Sequence, residues 1–341
     1  MIPITSFSGL DVAVFGLGAS GTATARALIE GGARVSAWDD NPESRAAAEA
    51  EGIPLVDLFR EDWARFAALI LAPGVPLTHP EPHWTVQKAE SAGVEVIGDI
   101  ELFCRERAGV CPQAPFIAIT GTNGKSTTTA LIAHILREAG RDVQLGGNIG
   151  RAILTLEPLT PERVYVVECS SFQIDLAPTI RPSVGVLLNV TPDHLDRHGT
   201  IERYAGVKER LIAGADAALV VVDDGWTRAI AGKYSSVEKQ ILTASTLGDA
   251  DLTFSGSTVF FRQEAVADLA GVASLRGRHN GENACAAYGA LRLAGLRGDE
   301  IVPHMLTYPG LAHRMEEVGR IGATLFINDS KATNAESTEK A

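Results

Sequence analysis

The sequence predicts an α/β protein of two or three domains, each built around a mainly parallel sheet. Three observations lead to this prediction. The chain has 341 residues, which is more than one hydrophobic core usually organises. Short apolar runs alternate along it with helical patterns, as in strand–helix–strand units. Two glycine-rich turns each follow such a run and precede such a helix.

The composition excludes several kinds of partner. The chain carries 30 lysines and arginines against 42 aspartates and glutamates, a net charge of -12. It lacks the basic excess with which proteins bind a phosphate backbone, so we expect no nucleic-acid partner. Its apolar runs are too short for a membrane span, and its N-terminus lacks the pattern of a signal peptide.

The cysteines favour a reducing compartment. The four of them lie far apart and show no CxxC spacing: Cys104, Cys111, Cys169 and Cys285. This pattern predicts neither a disulfide framework nor a zinc site. We therefore expect an unexported, cytoplasmic protein.

The first part of the chain predicts a Rossmann-type domain. Its predicted strands are 11–16, 33–39, 68–74 and 94–99, and helical patterns cover 21–30 and 42–51. Apolar strands that alternate with helices in this way form a parallel sheet covered on both faces. A looser, charged stretch with two prolines, 105–115, predicts a domain boundary, and we assign 1–110 to this domain.

A second α/β series follows and is assigned to 111–307. Its predicted strands are 115–120, 142–147, 163–168, 183–189 and 217–222. Residues 251–262 alternate like a hairpin, and 279–295 are strongly helical. Residues 323–334 predict a strand, a loop and the start of a helix, so we assign 308–341 to the beginning of a third domain.

The first glycine turn has the spacing Gly16-x-Gly18-x-x-Gly21, and Asp39 and Asp40 end the next strand. Glycines let a diphosphate approach the helix N-terminus, and an acid at the second strand's tip can bind a ribose hydroxyl. The pattern reports a diphosphate and a ribose but no nicotinamide. NAD and a nucleotide-diphosphate sugar therefore both fit, and a tight turn without ligand is the third alternative.

The second glycine turn is Gly121-Thr-Asn-Gly124-Lys125-Ser126-Thr127. Successive backbone N–H groups at a helix N-terminus form an anion cradle, to which Lys125 adds charge and Ser126 a hydroxyl for Mg²⁺. The turn is shorter than the common GxxxxGK[ST] pattern, since Ile119 stands where the first glycine would be. We predict a P-loop-type ATP-binding domain; the alternative is a solvated turn with a surface lysine.

Acidic and imidazole side chains follow two neighbouring predicted strands. Glu168 ends one, where a carboxylate is costly unless it is paired or bound to metal. The segment after the next strand adds Asp193, His194, Asp196 and His198. Such ligands suit Mg²⁺ or Mn²⁺; the alternative is helix capping with solvated histidines. Lys208, taken alone, is expected to be a solvated helix lysine.

Several motifs occur in one order and carry a family resemblance. They are GTNGKST at 121–127, GGNIG at 146–150, ECSSFQ at 168–173, NVTPDHLDRHG at 189–199, RHNGENACAA at 278–287, HRMEEV at 313–318 and NDSKATN at 328–334. Together they resemble the Mur ligases of peptidoglycan synthesis, in particular the branch that adds D-glutamate. The resemblance implies a Rossmann-like N-terminal domain, a central P-loop-type α/β ATPase domain and the start of a third, Rossmann-like domain.

The resemblance also implies a first substrate, UDP-N-acetylmuramoyl-L-alanine (UDP-MurNAc-L-Ala). Its implied contacts are Gly18, Ala19, Ser20, Asp39, Asp40, Asn41, Pro73, Gly74, Asn148, Ser170 and Thr333. Members of the family often carry an arginine at the strand end where this chain has Asn41.

The resemblance also implies that the middle domain binds ATP and two Mg²⁺ ions. The implied ATP contacts are Gly121, Thr122, Asn123, Gly124, Lys125, Ser126, Thr127, Asn280, Asn283, Arg314 and Asp329. The implied metal ligands are Ser126 and Glu168 for one ion, and His194 and a carbamylated Lys208 for the other. The residues for which the resemblance implies catalytic roles are Lys125, Glu168, His194, Lys208 and Lys331.

The implied reaction is ATP-dependent addition of D-glutamate through an acyl phosphate, by a monomeric enzyme. Because the third domain carries most contacts to the amino acid in this family, we expect the chain to bind UDP-MurNAc-L-Ala but to turn over poorly. An NAD-dependent oxidoreductase and a non-catalytic nucleotide-binding module remain the alternatives from other classes. Another Mur ligase or a folylpolyglutamate-type synthetase is the nearest alternative among ligases.

Overall fold

The computed structural model describes residues 1–235, 239–314 and 316–331. The predicted α/β class is confirmed, with two mainly parallel sheets, each flanked by helices. We call the part around the smaller sheet the first lobe and the part around the larger sheet the middle lobe. Among the described residues, no helix is both long and apolar enough to cross a membrane.

The first lobe contains four parallel strands in the order β2-β1-β3-β4. Its elements are β1 (Asp11–Phe15), α1 (Ala19–Glu30), β2 (Arg34–Trp38), α2 (Pro42–Ala50), β3 (Ala68–Leu71), α3 (Trp84–Ser91), β4 (Glu95–Ile97) and α4 (Asp99–Val110). The four predicted strands are confirmed. β1 lies between β2 and β3, and its buried residues, 12–15, are all apolar, as expected for a strand covered on both faces.

The middle lobe is built on nine strands. Its elements are β5 (Phe116–Thr120), α5 (Lys125–Glu138), β6 (Val143–Gly147), β7 (Val164–Glu168), α6 (Ser171–Asp175), β8 (Val184–Leu187), α7 (Leu195–His198), α8 (Ile201–Gly214), β9 (Ala217–Val221), α9 (Gly225–Tyr234), β10 (Gln240–Ser245), β11 (Leu252–Ser255), β12 (Thr258–Phe261), β13 (Glu264–Asp268), α10 (Arg278–Leu293) and α11 (Gly298–Met305). Their order is β13-β12-β11-β10-β9-β8-β5-β7-β6. The predicted hairpin is the antiparallel pair β11–β12.

The register of the central strands brings their carboxyl ends to one edge. Ile119 of β5 pairs with Glu168 of β7, and Thr120 pairs with Leu187 of β8. The second glycine turn directly follows β5, which lies between β7 and β8 in the sheet. Ligands of parallel α/β sheets bind at such an edge, so the register assembles the candidate site.

Residues 105–110 of the stretch that the sequence predicted to be loose are helical, because α4 continues to Val110. Its charged residues Glu106 and Arg107 are buried. Arg107 donates to the carbonyl of Ala114 (2.6 Å) and to the hydroxyl of Ser183 (3.0 Å). Ser183 lies 76 residues from Arg107 in the chain, so the local pattern of charges could not indicate that this side chain is buried.

The two lobes share one hydrophobic core across α4. The ring of Phe103 lies 5.1 Å from that of Phe116 and 5.3 Å from that of Tyr165. The backbone of Gly98 donates to Leu176 (2.9 Å) across the same junction. The position of one glycine turn relative to the other is therefore fixed by packing.

A two-stranded antiparallel hairpin follows the middle lobe, formed by β14 (Glu316–Ile321) and β15 (Thr324–Asn328). The predicted strand in 323–334 is confirmed as β15. The helix predicted after it falls on 332–341, outside the described residues.

Candidate active site at the two glycine turns

The second glycine turn presents the N-terminus of α5. Gly124 caps this helix with φ +83°, in the left-handed region that favours glycine. A Cβ at this position would collide with Oδ1 of Asn283. No described side chain caps α5, so its first N–H groups and the positive end of its dipole are available to an anion.

Asn189, two residues after the end of β8, holds this turn in shape. Its Oδ1 accepts from the backbone N–H groups of Thr122 (3.1 Å) and Asn123 (2.7 Å). The hydroxyls of Thr122 and Tyr204 lie 3.2 Å apart. The sequence analysis missed Asn189, although an asparagine that ends a buried strand beside a glycine turn could have indicated it.

Lys125 folds back over the turn that precedes it. Its Nζ donates to the carbonyls of Gly121 (3.0 Å) and Thr122 (2.7 Å). Burial lowers the pKa of Lys125; Glu168 opposes this shift and Arg314 reinforces it. The amino group thus lies against the backbone of the second glycine turn.

Ser126 and Glu168 form the buried polar centre of the site. Ser126 Oγ donates to Glu168 Oε2 (2.7 Å), and Asn148 Nδ2 donates to Oε1 (2.8 Å). Glu168 is 2% exposed, and Arg314 Nη2 donates to Ser126 Oγ (3.0 Å). A serine hydroxyl beside a buried carboxylate is the hard-oxygen donor set that Mg²⁺ prefers, so these residues fit the implied ion.

Lys208 is not solvated, and the expectation drawn from its own surroundings is wrong. It is 1% exposed, and its Nζ donates to Gly121 O (2.9 Å) and lies 3.4 Å from Thr120 Oγ1. Burial lowers the pKa of Lys208 well below its ordinary value, and the charge of Lys125 adds to this effect. Its spacing of four residues from the buried Tyr204 on α8 could have indicated an inward position.

The polar residues after β8 are spread over several places. His194 is half-exposed, with φ +53°, and its Nε2 lies 3.6 Å from Asp193 Oδ2. His198 instead is 1% exposed, and its Nε2 lies 2.9 Å from Ser171 Oγ. Burial lowers the pKa of His198 to about 4. In the part of the chain that the structure describes, no three His, Cys, Asp or Glu side chains converge as a metal site.

A cleft of about 700 Å³ opens beside the second glycine turn. Predicted ATP contacts in its lining are Asn123, Gly124, Thr127, Asn280, Asn283, Arg314 and Asp329. Lining residues that the sequence analysis missed are Asn189, Ser274, His279, Glu282, Tyr308, Gly310 and Leu311. The cleft thus joins the cradle to α10 and to the segment after α11.

The first glycine turn has the tight geometry of a diphosphate loop. Gly16 has φ +94°, and a Cβ on Gly21 would overlap the carbonyl of Gly16. Asp39 Oδ2 accepts from the backbone of Leu17 (2.6 Å). Pro73, Ser20 and Gly21 border one cavity of about 190 Å³, so the predicted substrate residues on α1 and after β3 are neighbours.

Two residues beside this turn were missed by the sequence analysis. Asp99, 4% exposed, accepts from Ser20 Oγ (2.8 Å), and burial raises the pKa of Asp99. Arg45 donates to the carbonyls of Asp39 (2.7 Å) and Asp40 (3.1 Å) and lies 4.5 Å above the ring of Trp38. Arg45 thus places a cation at the end of β2.

Other predicted substrate residues already have partners within the protein. Asp40 Oδ2 accepts from Trp84 Nε1 (3.3 Å). Asn41 accepts from the backbone of Glu43 (2.9 Å) and caps α2. Ser170 caps α6 in a reciprocal pair with Gln173. Ala19 and Gly18 lie at the start of α1, and Gly74 follows β3.

The last predicted residues belong to the segment after the middle lobe. The backbone of Lys331 donates to His313 O (3.2 Å), so Lys331 lies near the arginine-bearing turn, two residues after Asp329. Thr333 lies outside the described residues.

Comparison with protein families matches both lobes. Residues 119–291 match the Mur ligase middle domain, and residues 10–98 match the MurD-like N-terminal domain of Mur ligases. The chain belongs to the Mur ligase family. Curated relatives include the UDP-N-acetylmuramoylalanine–D-glutamate ligases of Mesorhizobium japonicum (60% identical) and Brucella abortus (56% identical), each aligned over 347 positions. Each alignment covers 100% of this chain and 74% of the relative.

Solved structures of other Mur ligases have the same fold. MurC from Thermotoga maritima is 19% identical with a TM-score of 0.56, and the match covers 94% of this chain and 74% of that one. MurF from Acinetobacter baumannii is 22% identical with a TM-score of 0.57, and the match covers 71% of this chain and 56% of that one. This Mur ligase is thus similar to D-glutamate ligases in sequence and to the wider family in architecture.

Proposed function

We propose that this Mur ligase performs the ATP-dependent addition of D-glutamate to UDP-MurNAc-L-Ala in peptidoglycan precursor synthesis. The observation that carries the proposal is the 60% identity, over the whole chain, with a UDP-N-acetylmuramoylalanine–D-glutamate ligase. The two glycine turns support it, since a ligase of this kind must bind two nucleotides separately. An NAD-dependent oxidoreductase is not favoured, because it leaves the turn at Lys125 and the buried Glu168 without a role.

The two turns divide the substrates between the lobes. In the proposal the first turn, at 16–21, holds the diphosphate of UDP-MurNAc-L-Ala, with Ser20, Asp39 and Pro73 at its edge. The second turn, at 121–127, holds the phosphates of ATP, whose adenosine occupies the cleft between Asn280 and Arg314. The lining of that cleft supports the assignment, since it joins the cradle to α10.

Ser126 and Glu168 would hold one Mg²⁺ ion, and His194 and Lys208 a second. The lowered pKa of Lys208 favours the neutral amine, which is the form that can add CO₂ with release of a proton. The resulting carbamate anion would supply oxygen ligands where an ammonium would repel the cation. Magnesium, once bound, would withdraw charge from the phosphate oxygens and fix their positions.

The proposed chemistry makes the L-alanine carboxylate reactive. Transfer of the γ-phosphoryl group to that carboxylate gives an acyl phosphate, whose phosphate is a good leaving group. The amine of D-glutamate then attacks the carbonyl carbon, and the tetrahedral intermediate collapses to an amide and phosphate. Lys125 and Arg314 offset the negative charges that this reaction brings together.

Replacement of Lys125 tests the division of labour. We expect Lys125→Ala to abolish phosphoryl transfer and to weaken binding of an ATP analogue, because the cradle loses its cation. Binding of UDP-MurNAc-L-Ala should stay within about twofold of wild type, since its diphosphate lies on the other lobe. Isothermal titration calorimetry measures both affinities, and ADP formed from ATP in a single turnover with UDP-MurNAc-L-Ala measures phosphoryl transfer, a step that does not need the amino acid.

Lys88→Ala is the matched control, because Lys88 lies on α3, against Phe59 and far along the chain from both turns. It should leave both affinities unchanged. Joint loss of both ligands in Lys125→Ala, with the folded state intact, would contradict the division between the lobes. Phosphate release that other amino acids support as well as D-glutamate would instead favour another ligase of the family.

We further propose a cytoplasmic, monomeric enzyme. All four cysteines are buried free thiols, which agrees with a reducing compartment. Light scattering of the purified protein, with and without UDP-MurNAc-L-Ala, tests the monomeric state.

A further inference from the structure

Arg197 joins the two lobes at a point close to both candidate ligand sites. From α7 its Nη1 donates to the carbonyl of Gly74 (3.0 Å), and its Nη2 donates to the carbonyl of Val75 (2.9 Å). Those carbonyls belong to the loop after β3 in the first lobe. Two parallel bonds from a rigid guanidinium fix both the distance and the orientation of a partner.

The guanidinium of Arg197 is held in place on its other side. It lies 4.8 Å above the ring of Phe172 in α6. That ring stacks on His198 at 5.3 Å, with an angle of 6° between the planes. Burial lowers the pKa of Arg197, and Asp196 opposes this shift. The side chain is thus a fixed link between α6, α7 and the loop.

This contact also contains buried polar atoms without hydrogen-bond partners. Nε of Arg197 and Nδ1 of His198 are buried and have no hydrogen-bond partner in the described part of the chain. Both residues border a cavity of about 250 Å³ that the loop after β3 closes. Unpaired buried polar atoms cost free energy, so stability alone does not explain the arrangement.

One end of the link reaches the first glycine turn. Pro73, in the loop that Arg197 holds, borders the same cavity as Ser20 and Gly21. A Cβ at Gly16 would contact Ala72 at 2.6 Å, so the loop and the turn are packed against each other. A ligand that shifts the first glycine turn therefore acts on the carbonyls that Arg197 binds.

The other end reaches His194. The backbone N–H of Arg197 donates to the carbonyl of His194 (3.0 Å), and that of His198 donates to the same carbonyl (3.1 Å). His194 has φ +53°, a conformation that persists only where its surroundings impose it. The turn that carries Arg197 therefore sets the position of the imidazole.

We propose that Arg197 is a positioning residue that couples occupancy of the first glycine turn to the nucleotide and metal site on the middle lobe. Through Arg197, a nucleotide-diphosphate sugar on the first lobe stabilises one arrangement of the turn that carries His194, the residue that would hold the second magnesium ion in the proposed function. The coupling is reciprocal, as for any linked pair of binding equilibria. The identity of the two ligands rests on the proposed function.

A calorimetric cycle on the full chain measures this coupling. The affinity for UDP-MurNAc-L-Ala is determined alone and with a saturating magnesium complex of a non-hydrolysable ATP analogue, and the reverse pair is measured as a check. We expect wild type to bind UDP-MurNAc-L-Ala at least about fivefold more tightly with the ATP analogue than without it. In Arg197→Met the affinities for UDP-MurNAc-L-Ala with and without the ATP analogue should differ by no more than about twofold. Each ligand alone should still bind.

Two further variants sharpen the test. Arg197→Lys keeps the charge but not the forked geometry, so it should also lose most of the coupling; it serves as well if Arg197→Met folds poorly. Arg210→Met is the control, because Arg210 contacts only Asp175 among the partners recorded for it, within the middle lobe. It should keep the ratio of wild type.

The outcomes separate the inference from the function on which it rests. Coupling that survives in both Arg197 variants overturns the inference, and so does a wild-type protein that binds both ligands independently. A wild-type protein that does not bind UDP-MurNAc-L-Ala overturns the proposed function, and the inference with it. A lower affinity for each ligand alone with an unchanged ratio would show a purely structural role and would also overturn the inference.

Discussion

At the scale of single residues, burial decides the chemistry of Lys208. Its Nζ lies among the carbonyl of Gly121, the hydroxyl of Thr120 and the ring of Tyr204, 4.5 Å from the ring centroid. None of these groups carries a formal charge. The ammonium form therefore lacks a direct counter-ion among these contacts, and the neutral amine is favoured.

Lys208→Met should change how stability depends on pH. Because the pKa of Lys208 in the folded chain lies below its ordinary value of 10.5, the folded state has released a proton that the unfolded state still holds. Between the folded pKa and 10.5, the free energy of unfolding of wild type should therefore rise by about 1.4 kcal/mol per pH unit relative to the variant. Urea unfolding between pH 7 and 9, in buffer free of CO₂, measures this difference.

Lys233→Met is the control for that measurement. Lys233 is exposed, and its hydrogen bond with Glu209 raises the pKa of Lys233. It stays protonated in both states between pH 7 and 9, so its removal should add no slope. A constant difference between wild type and Lys208→Met over this range would show that Lys208 is charged in the folded chain.

At the scale of elements, each glycine turn depends on the helix that follows it. α5 begins directly after a left-handed glycine and ends before another, Gly140, with φ +77°. The first glycine faces Asn283 of α10, while a Cβ on Gly140 would meet nothing within 4 Å. The two ends of α5 therefore form a matched pair for substitution.

Gly140→Ala should lower the free energy of unfolding by about 1–2 kcal/mol, because it places a Cβ in the left-handed region. Gly124→Ala should lower it by more, because its Cβ would in addition collide with Asn283. Only Gly124→Ala should also weaken binding of an ATP analogue, by about tenfold if the same strain falls on the cradle. Thermal unfolding and calorimetry measure the two effects. Equal nucleotide affinity in both variants would show that the cradle tolerates a Cβ.

At the scale of the whole molecule, α4 joins the lobes into one folding unit. Phe103 is fully buried between the first lobe and the rings of Phe116 and Tyr165. Glu101 of the same helix accepts from the backbone (2.9 Å) and the hydroxyl (2.6 Å) of Thr179. Both apolar contacts and hydrogen bonds of α4 thus connect the two lobes.

Phe103→Ala should destabilise both lobes by about 3–5 kcal/mol, as expected for a large cavity in a shared core. Hydrogen exchange of amides in β1 and in β5 should accelerate by a similar factor, because one core supports both strands. Phe59→Ala, at a position that is 61% exposed, should change stability by no more than about 0.5 kcal/mol. Faster exchange in β1 alone would indicate lobes that unfold independently.

Much of the site could be predicted because its signals are local. The spacing around Gly16 and around Gly124 marks strand–turn–helix units whose backbone geometry requires glycine, and the structure has both turns. Glu168 was recognised because a carboxylate at the end of a buried strand is unusual. The hairpin of β11 and β12 followed in the same way from strict alternation over a short segment.

The parts that were missed or wrong depend on partners far away in the chain. Lys208 and Asp99 are buried by elements remote in sequence, and Arg107 is buried where it donates to the hydroxyl of Ser183, 76 residues away. Arg197 donates to the carbonyls of Gly74 and Val75, which lie 123 and 122 residues away in the chain. Periodicity describes which face of an element is apolar, but not what covers that face.

By itself the sequence determined the α/β class, the two glycine turns and the family, because these depend on local backbone geometry and on motifs that keep their order. Tertiary structure alone decided which charged side chains are buried, which carbonyls bind them and how the two turns face each other. The physical reason is that desolvation and hydrogen-bond satisfaction are properties of packed surfaces, and those surfaces exist only once both lobes have closed on α4.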